Sequence, residues 1–225
     1  MPAPPRGRLI VLEGSDGVGK TTQAARLADR LRAECPGRSV VSLREPGGTP
    51  LGDDLRRILL DPAQKIGAET EALLFLASRA QLVRDVIHPH LRSGALVVLD
   101  RFFLSTYAYQ IGGHGLPEDV IRAANALAVQ GTVPDRTVLF DYPAVDALAR
   151  AEARVAEARV AEAGGDRMHG LGPAFHARVA AAFAHFADPA WQAGHPECGP
   201  IVAVDARGTP DAVAARGWAA VRDLI

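Results

Sequence analysis

Eight consecutive residues, Gly14-Ser15-Asp16-Gly17-Val18-Gly19-Lys20-Thr21, hold the plainest chemistry in this chain. They meet the pattern G-x-x-x-x-G-K-[ST] at every fixed position. Glycines let the backbone curl with its N–H groups inward, and a helix N-terminus behind them adds partial positive charge, so such a loop cradles phosphates. Lys20 then reaches the β- and γ-phosphates of a nucleoside triphosphate, and Thr21 offers a hydroxyl to Mg²⁺. The plainer alternative is a glycine-rich turn with no ligand. Context speaks against it. Leu9-Ile10-Val11-Leu12 before the loop reads as a buried parallel strand, and Thr21 to about Ala33 reads as a helix with Ala24, Leu27, Ala28 and Leu31 on one face.

A second group of residues lies far from this loop in sequence. Asp100 ends the apolar run Leu96-Val97-Val98-Leu99, where a carboxylate orients Mg²⁺ or its waters. A turn cap is the other use of such an aspartate. Arg101 follows at once, and Arg44-Glu45-Pro46-Gly47-Gly48 puts another arginine after an earlier strand. Guanidinium forks match phosphate oxygens, so two such arginines outside the loop suggest a second phosphate-bearing ligand. Either one alone also fits a surface ion pair. Phe75 and Arg79 are four apart on a predicted helix and share a face, so Phe75 could stack on a base while Arg79 bonds its edge. Phe75 suits a core position equally well. Ser105 and Tyr109, again four apart, present a polar wall from another helix. The guanine-recognition signature Asn-Lys-x-Asp is absent, which weakens a GTPase reading.

Alternating elements must position these groups. Strands are expected at 9–12, 39–43, 96–99, 137–140 and 201–204, with helices between them at 51–60, 69–91, 105–110 and 117–129. Two further helices are expected before the last strand and a terminal one from Pro210. The pattern predicts an α/β fold: a doubly wound, five-stranded parallel sheet flanked by helices. Ligands in such sheets bind beyond the carboxyl ends of the strands. That rule gathers Gly14, Arg44, Asp100, Asp141 and Asp205 on one rim. The 225 residues suit one domain, 1–225, and a net charge of −1 gives no general attraction to nucleic acid or membrane. Cys35 and Cys198 fit no metal spacing, and Met1 to Arg8 carries three prolines and no apolar signal-peptide core. A reduced, cytoplasmic protein is the simplest expectation.

The segment Ala153-Arg154-Val155-Ala156-Glu157 recurs as Ala158-Arg159-Val160-Ala161-Glu162. Its alanines favour a helix, yet no apolar stripe is left to dock it. It reads either as a solvated surface helix or as a projecting lid at about 148–170, hinged at Gly164-Gly165, with Arg150, Arg154 or Arg167 supplying charge to a nucleotide.

Taken together, Gly14 to Thr22, Arg44 to Thr49, Leu74 to Arg79, Asp100-Arg101-Phe102, Ser105 to Gln110 and Asp166-Arg167 resemble the bacterial thymidylate kinases, a family of P-loop nucleoside monophosphate kinases. The blocks run nearly end to end. The resemblance implies P-loop kinase architecture with a helical lid. It implies transfer of the γ-phosphoryl of ATP to dTMP with Mg²⁺ at Thr21 and Asp100, for dTTP synthesis. Gly14, Ser15, Asp16, Gly17, Val18, Gly19, Lys20, Thr21 and Thr22 would hold ATP. Phe75 would stack on thymine and Arg79 would bond its O4, rejecting cytosine. Asp16 would hold the acceptor 3′-OH, and Arg44 and Arg101 its phosphate. Ser105 and Thr106 would line the base pocket, and Tyr109 would crowd a 2′-OH. Gly17 and Val18 leave the P-loop without the extra basic residue that some members carry, so Arg154 or Arg167 of the lid would supply it. After Asp166-Arg167, Met168-His169-Gly170 stands where an acidic residue is usual. A homodimer packed through helices is also implied. Two rivals stay open: a P-loop kinase for another acceptor, and a non-catalytic nucleotide-binding protein.

Overall fold

The computed structural model describes residues 6–142 and 167–225. Five parallel strands, β1 (Arg8–Glu13), β2 (Val40–Arg44), β3 (Leu96–Asp100), β4 (Arg136–Asp141) and β5 (Ile201–Asp205), form one sheet in the order β2-β3-β1-β4-β5. Side chains alternate along each strand. Leu9, Val11, Val97 and Leu99 therefore enter one core, while Ile10, Leu12, Leu96 and Val98 enter the other. On the second face the sheet packs against α1 (Lys20–Glu34), which buries Ala24, Leu27, Ala28 and Leu31, and α9 (Pro210–Ala219), which buries Val213. The first face carries α2 (Pro50–Leu60), α3 (Ala68–Leu82), α6 (Glu118–Val129) and α7 (Pro173–His185). The short helix α8 (Pro189–Ala193) follows α7 before the last strand.

The long helix predicted over 69–91 is not uniform. After α3 it widens to a π-helical turn at Val83–Ile87 and resumes as α4 (His88–Arg92). Pro89 has no N–H for the carbonyl four residues back and would clash with it. The widened turn removes the conflict, with the His88 N–H bonded to the Val83 carbonyl. The helix expected at 105–110 is likewise a short α5 (Phe103–Thr106) running into a π-helical stretch, Tyr107–Gly113. That stretch buries Tyr107, Ala108, Tyr109 and Gln110 together. A Cβ on Gly113 would lie 2.5 Å from the Phe175 ring, so glycine is what lets α7 approach.

The strand ends meet as the rim rule predicts. Arg44 and Asp100 are partners across β2 and β3, Leu12 and Asp100 across β1 and β3, and Asp141 and Asp205 across β4 and β5.

Candidate active site

The loop after β1 needs its glycines. Gly14 has φ 141°, and a Cβ there would lie 2.6 Å from the Phe140 carbonyl oxygen. Gly19, at φ 95°, caps α1 with no side chain in the way, so the first N–H groups of the helix face the loop. Lys20 is buried and donates from Nζ to the Ser15 carbonyl at 2.6 Å. Burial, then repulsion from Arg101, outweigh the attraction of Asp16, Asp100 and Glu13 and lower its pKa to about 8. The Thr21 hydroxyl donates to Asp100 Oδ2 at 2.8 Å. The other carboxylate oxygen, Oδ1, is buried with no hydrogen-bond partner. A hydroxyl and an unsatisfied carboxylate oxygen side by side form a hard, all-oxygen donor set, which fits Mg²⁺.

Across the cavity, Arg101 has φ 73°, rare for a residue with a side chain. Its guanidinium ion-pairs with Asp16 and donates to Ser105 Oγ at 2.8 Å. Asp16 accepts from Arg101 on one oxygen and from the Tyr109 hydroxyl on the other. Burial raises the Asp16 carboxyl, but Arg101, Lys20 and the Tyr109 hydroxyl overcome it and hold the pKa well below the usual carboxylate range. Tyr109 is wedged against Phe175 and Phe183.

Arg79 is buried at the floor. Its Nε and Nη2 approach Glu45 Oε2, Nη1 donates to Thr106 Oγ1 and Asn125 Oδ1, and Nη2 also donates to the Phe102 carbonyl. A guanidinium has five N–H donors, and each is directed at a protein oxygen. The expected bond to O4 therefore has no spare donor and requires one of these to open. Glu45 Oε1 is buried without a partner, and burial raises the Glu45 pKa despite Arg79.

One cavity of about 240 Å³ joins these groups. Asp16, Gly17, Gly19, Lys20, Thr21 and Asp100 line it from the loop side, and Arg44, Phe75, Arg79, Arg101, Ser105, Thr106 and Tyr109 from the other. Gly14 and Ser15 do not line it, but their carbonyls accept from Arg101 and Lys20. Val18 turns its side chain into the core, and Thr22 is exposed. Arg167 is not where the lid expectation puts it. It is buried, with Nε on the Leu59 carbonyl at 2.9 Å and Nη2 on Glu71 Oε2 at 2.6 Å, and it does not line the cavity. Glu71 is fully buried, and a carboxylate out of water needs partners, which Arg167, the Gln110 amide and the His114 ring supply. Arg150, Arg154, Arg159 and Asp166 lie outside the described residues.

Sequence reasoning missed Arg56, which lines the cavity from α2 and donates to the Pro46 carbonyl at 2.9 Å. Its position on the helix started by the Gly47-Gly48-Thr49 turn was the available signal. His169 also lines the cavity. Nothing local marked Glu45 or Asn125 as partners of Arg79.

The arrangement thus places a triphosphate cradle and a second cation-rich anion site in one cavity, touching through Asp16 and Arg101. A family model described as thymidylate kinase matches residues 12–164. Thymidylate kinases of Rhizorhabdus wittichii and Deinococcus radiodurans are 43% and 41% identical to this chain, each over 97% of it and over 99% and 98% of their own lengths. The crystal structure of thymidylate kinase from Ehrlichia chaffeensis superposes with a TM-score of 0.71 at 28% identity, covering 97% of this chain and 100% of that one. The family model, the identity over nearly the whole chain and the structural superposition agree, and the chain belongs to the thymidylate kinase family.

Proposed function

We infer that this chain transfers the γ-phosphoryl group of ATP to dTMP, giving ADP and dTDP on the route to dTTP. One observation carries the reading: Asp16, inside the phosphate loop, is ion-paired with Arg101 of the opposite wall, so donor and acceptor sites abut. The attacking group is a phosphate oxygen, largely ionised at neutral pH because its second pKa is about 6. No general base is required. Catalysis is then positioning and charge neutralisation.

Lys20 and the loop N–H groups hold the β- and γ-phosphates. Thr21 and Asp100 would hold Mg²⁺, which when bound neutralises charge on the transferring group. Arg44, Arg56 and Arg101 clamp the acceptor phosphate. Asp16, ionised throughout the working range, accepts from the acceptor 3′-OH. Phe75 covers the thymine face. Thr106 and Arg79 form its polar edge, the Thr106 bond being the one that opens towards O4. Tyr109, fixed by Phe175, Phe183 and Asp16, would crowd a 2′-OH. Arg154, in the Arg-rich repeat, supplies the cation that Gly17 and Val18 do not; the basis is sequence alone. The whole chain acts as one domain with that repeat as its lid.

Homodimerisation has physical support. Leu51 and Ile58 of α2, Leu73 of α3 and Val120 and Leu127 of α6 are exposed, Leu127 by 81% and Leu73 by 63%. An apolar face of this kind on neighbouring helices marks a protein interface. Among the described residues no helix is long and apolar enough to cross a membrane, and dTTP synthesis places the enzyme in the cytoplasm.

The test is ADP release from MgATP with dTMP, dUMP, UMP, CMP, dGMP and thymidine as acceptors. dTMP should give the highest kcat/KM. Preference for dGMP or thymidine would sink the reading, and no ADP release with any of the acceptors would favour the non-catalytic rival.

A further inference from the structure

Glu13, the last residue of β1, has entered so far only as one of the carboxylates that attract Lys20. It is wholly buried, directly before the phosphate loop. Its Oε1 accepts from the Phe102 N–H at 2.7 Å and the Ser105 N–H at 3.1 Å, and its Oε2 accepts from the Ser105 hydroxyl at 2.7 Å. The same hydroxyl oxygen accepts from Arg101 Nη1 at 2.8 Å. Chemistry fixes the direction of this chain. A carboxylate cannot donate and a guanidinium cannot accept. The single Ser105 proton therefore points at Glu13, and a lone pair points at Arg101.

We propose that Glu13 is a positioning residue for the acceptor phosphate, acting through Ser105 to hold the Arg101 guanidinium. Two linkages serve this end. The bonds to the Phe102 and Ser105 N–H groups fix the turn in which Arg101 takes its positive φ. The bond to the Ser105 hydroxyl orients that oxygen as an acceptor for Nη1, while Asp16 holds Nη2. Arg101 is thus gripped at both ends of its fork, with its aim set by residues on both sides of the phosphate loop. Ser105 becomes a relay in this chain, in addition to lining the cavity. The inference rests on Arg101 being the acceptor-phosphate clamp.

The test uses equilibrium binding of dTMP and of thymidine, which lacks the phosphate, to the wild type and to Glu13→Gln, Ser105→Ala, the double variant and Arg101→Ala. The glutamine keeps an acceptor for the two backbone N–H groups but faces Ser105 with an amide N–H, so the hydroxyl proton loses its acceptor. The alanine removes the relay and leaves the charge of Glu13 in place. Each single variant should weaken dTMP about five- to tenfold more than it weakens thymidine. The double variant should be no weaker than the worse single, because both cut the same chain. Equal weakening of dTMP and thymidine would mean a merely structural role and overturn the proposal, as would effects that multiply in the double variant. If Glu13→Gln is too unstable to purify, Ser105→Ala decides: wild-type dTMP affinity overturns the relay. Arg101→Ala separates the two levels. A wild-type dTMP affinity there defeats the clamp itself, whereas selective loss there with none in the Glu13 and Ser105 variants defeats only the relay.

Discussion

Raising the pH should weaken MgATP binding through one residue, Lys20. In the free enzyme its pKa is about 8, because it is buried and faces Arg101. The phosphates of bound ATP favour the charged form and raise that pKa. Above pH 8 the free enzyme must therefore take up a proton to bind. With a pKa of 8, about nine-tenths of Lys20 is charged at pH 7 and about one-tenth at pH 9. Affinity should fall about tenfold between these values, or about 1.4 kcal/mol. Calorimetric titration in two buffers of different ionisation enthalpy reads the proton directly: about 0.1 taken up at pH 7 and about 0.9 at pH 9. Lys20→Arg, charged at both values, should bind without this uptake. Equal uptake at both pH values in the wild type, or its persistence in Lys20→Arg, would refute the reasoning. The same shift bears on the unliganded fold. A lysine whose folded pKa lies below its unfolded value binds fewer protons folded than unfolded between about 8 and 10.5. Its contribution therefore makes stability rise with pH across that window, by on the order of 3 kcal/mol in total.

Arg167→Ala takes the guanidinium from the buried Glu71 carboxylate, leaving it the Gln110 amide and the His114 ring, and should destabilise the protein by about 3 kcal/mol in denaturant titrations; a lowered kcat with unchanged stability would restore Arg167 to the phosphates. Arg154→Ala should lower kcat tenfold or more, about 1.4 kcal/mol or greater, with stability intact; a wild-type rate removes it from the lid proposal. The thymine methyl is worth about 0.8 kcal/mol of burial, so dUMP should turn over with kcat/KM about fourfold below dTMP; no turnover of dUMP would show a stricter methyl pocket than this. Leu73→Asp combined with Leu127→Asp should convert a dimer to a monomer in light scattering, and an unchanged mass would place the interface elsewhere.

Much of this was legible in the sequence because it is local. Short runs rich in apolar residues marked the five strands, and the residues at their carboxyl ends fell on one rim because parallel strands share a direction. The P-loop, Asp100 and Arg101 could be assigned from strand-turn-helix context. The π-helical stretches could not: Pro89 signals a conflict inside a helix but not whether the helix breaks or widens, and the burial of Tyr107 to Gln110 in succession fits no single helical period. Long-range polar partners were also hidden. The Arg79 guanidinium is claimed by Glu45, Phe102, Thr106 and Asn125, which meet only in the fold. Arg167 looked like a lid cation until Glu71, 96 residues away, proved to be its partner. Spacing can put a charge on a face, but it cannot say which buried group will capture it.

The central claim is that the two halves of one cavity pass a phosphoryl group between nucleotides. Its most direct test is to incubate the enzyme with ATP labelled in the γ-phosphate, Mg²⁺ and dTMP, and to separate the products. The account predicts label in the β-phosphate of dTDP, in step with ADP. Label released only as inorganic phosphate, or retained in ATP while dTMP is bound, would contradict it.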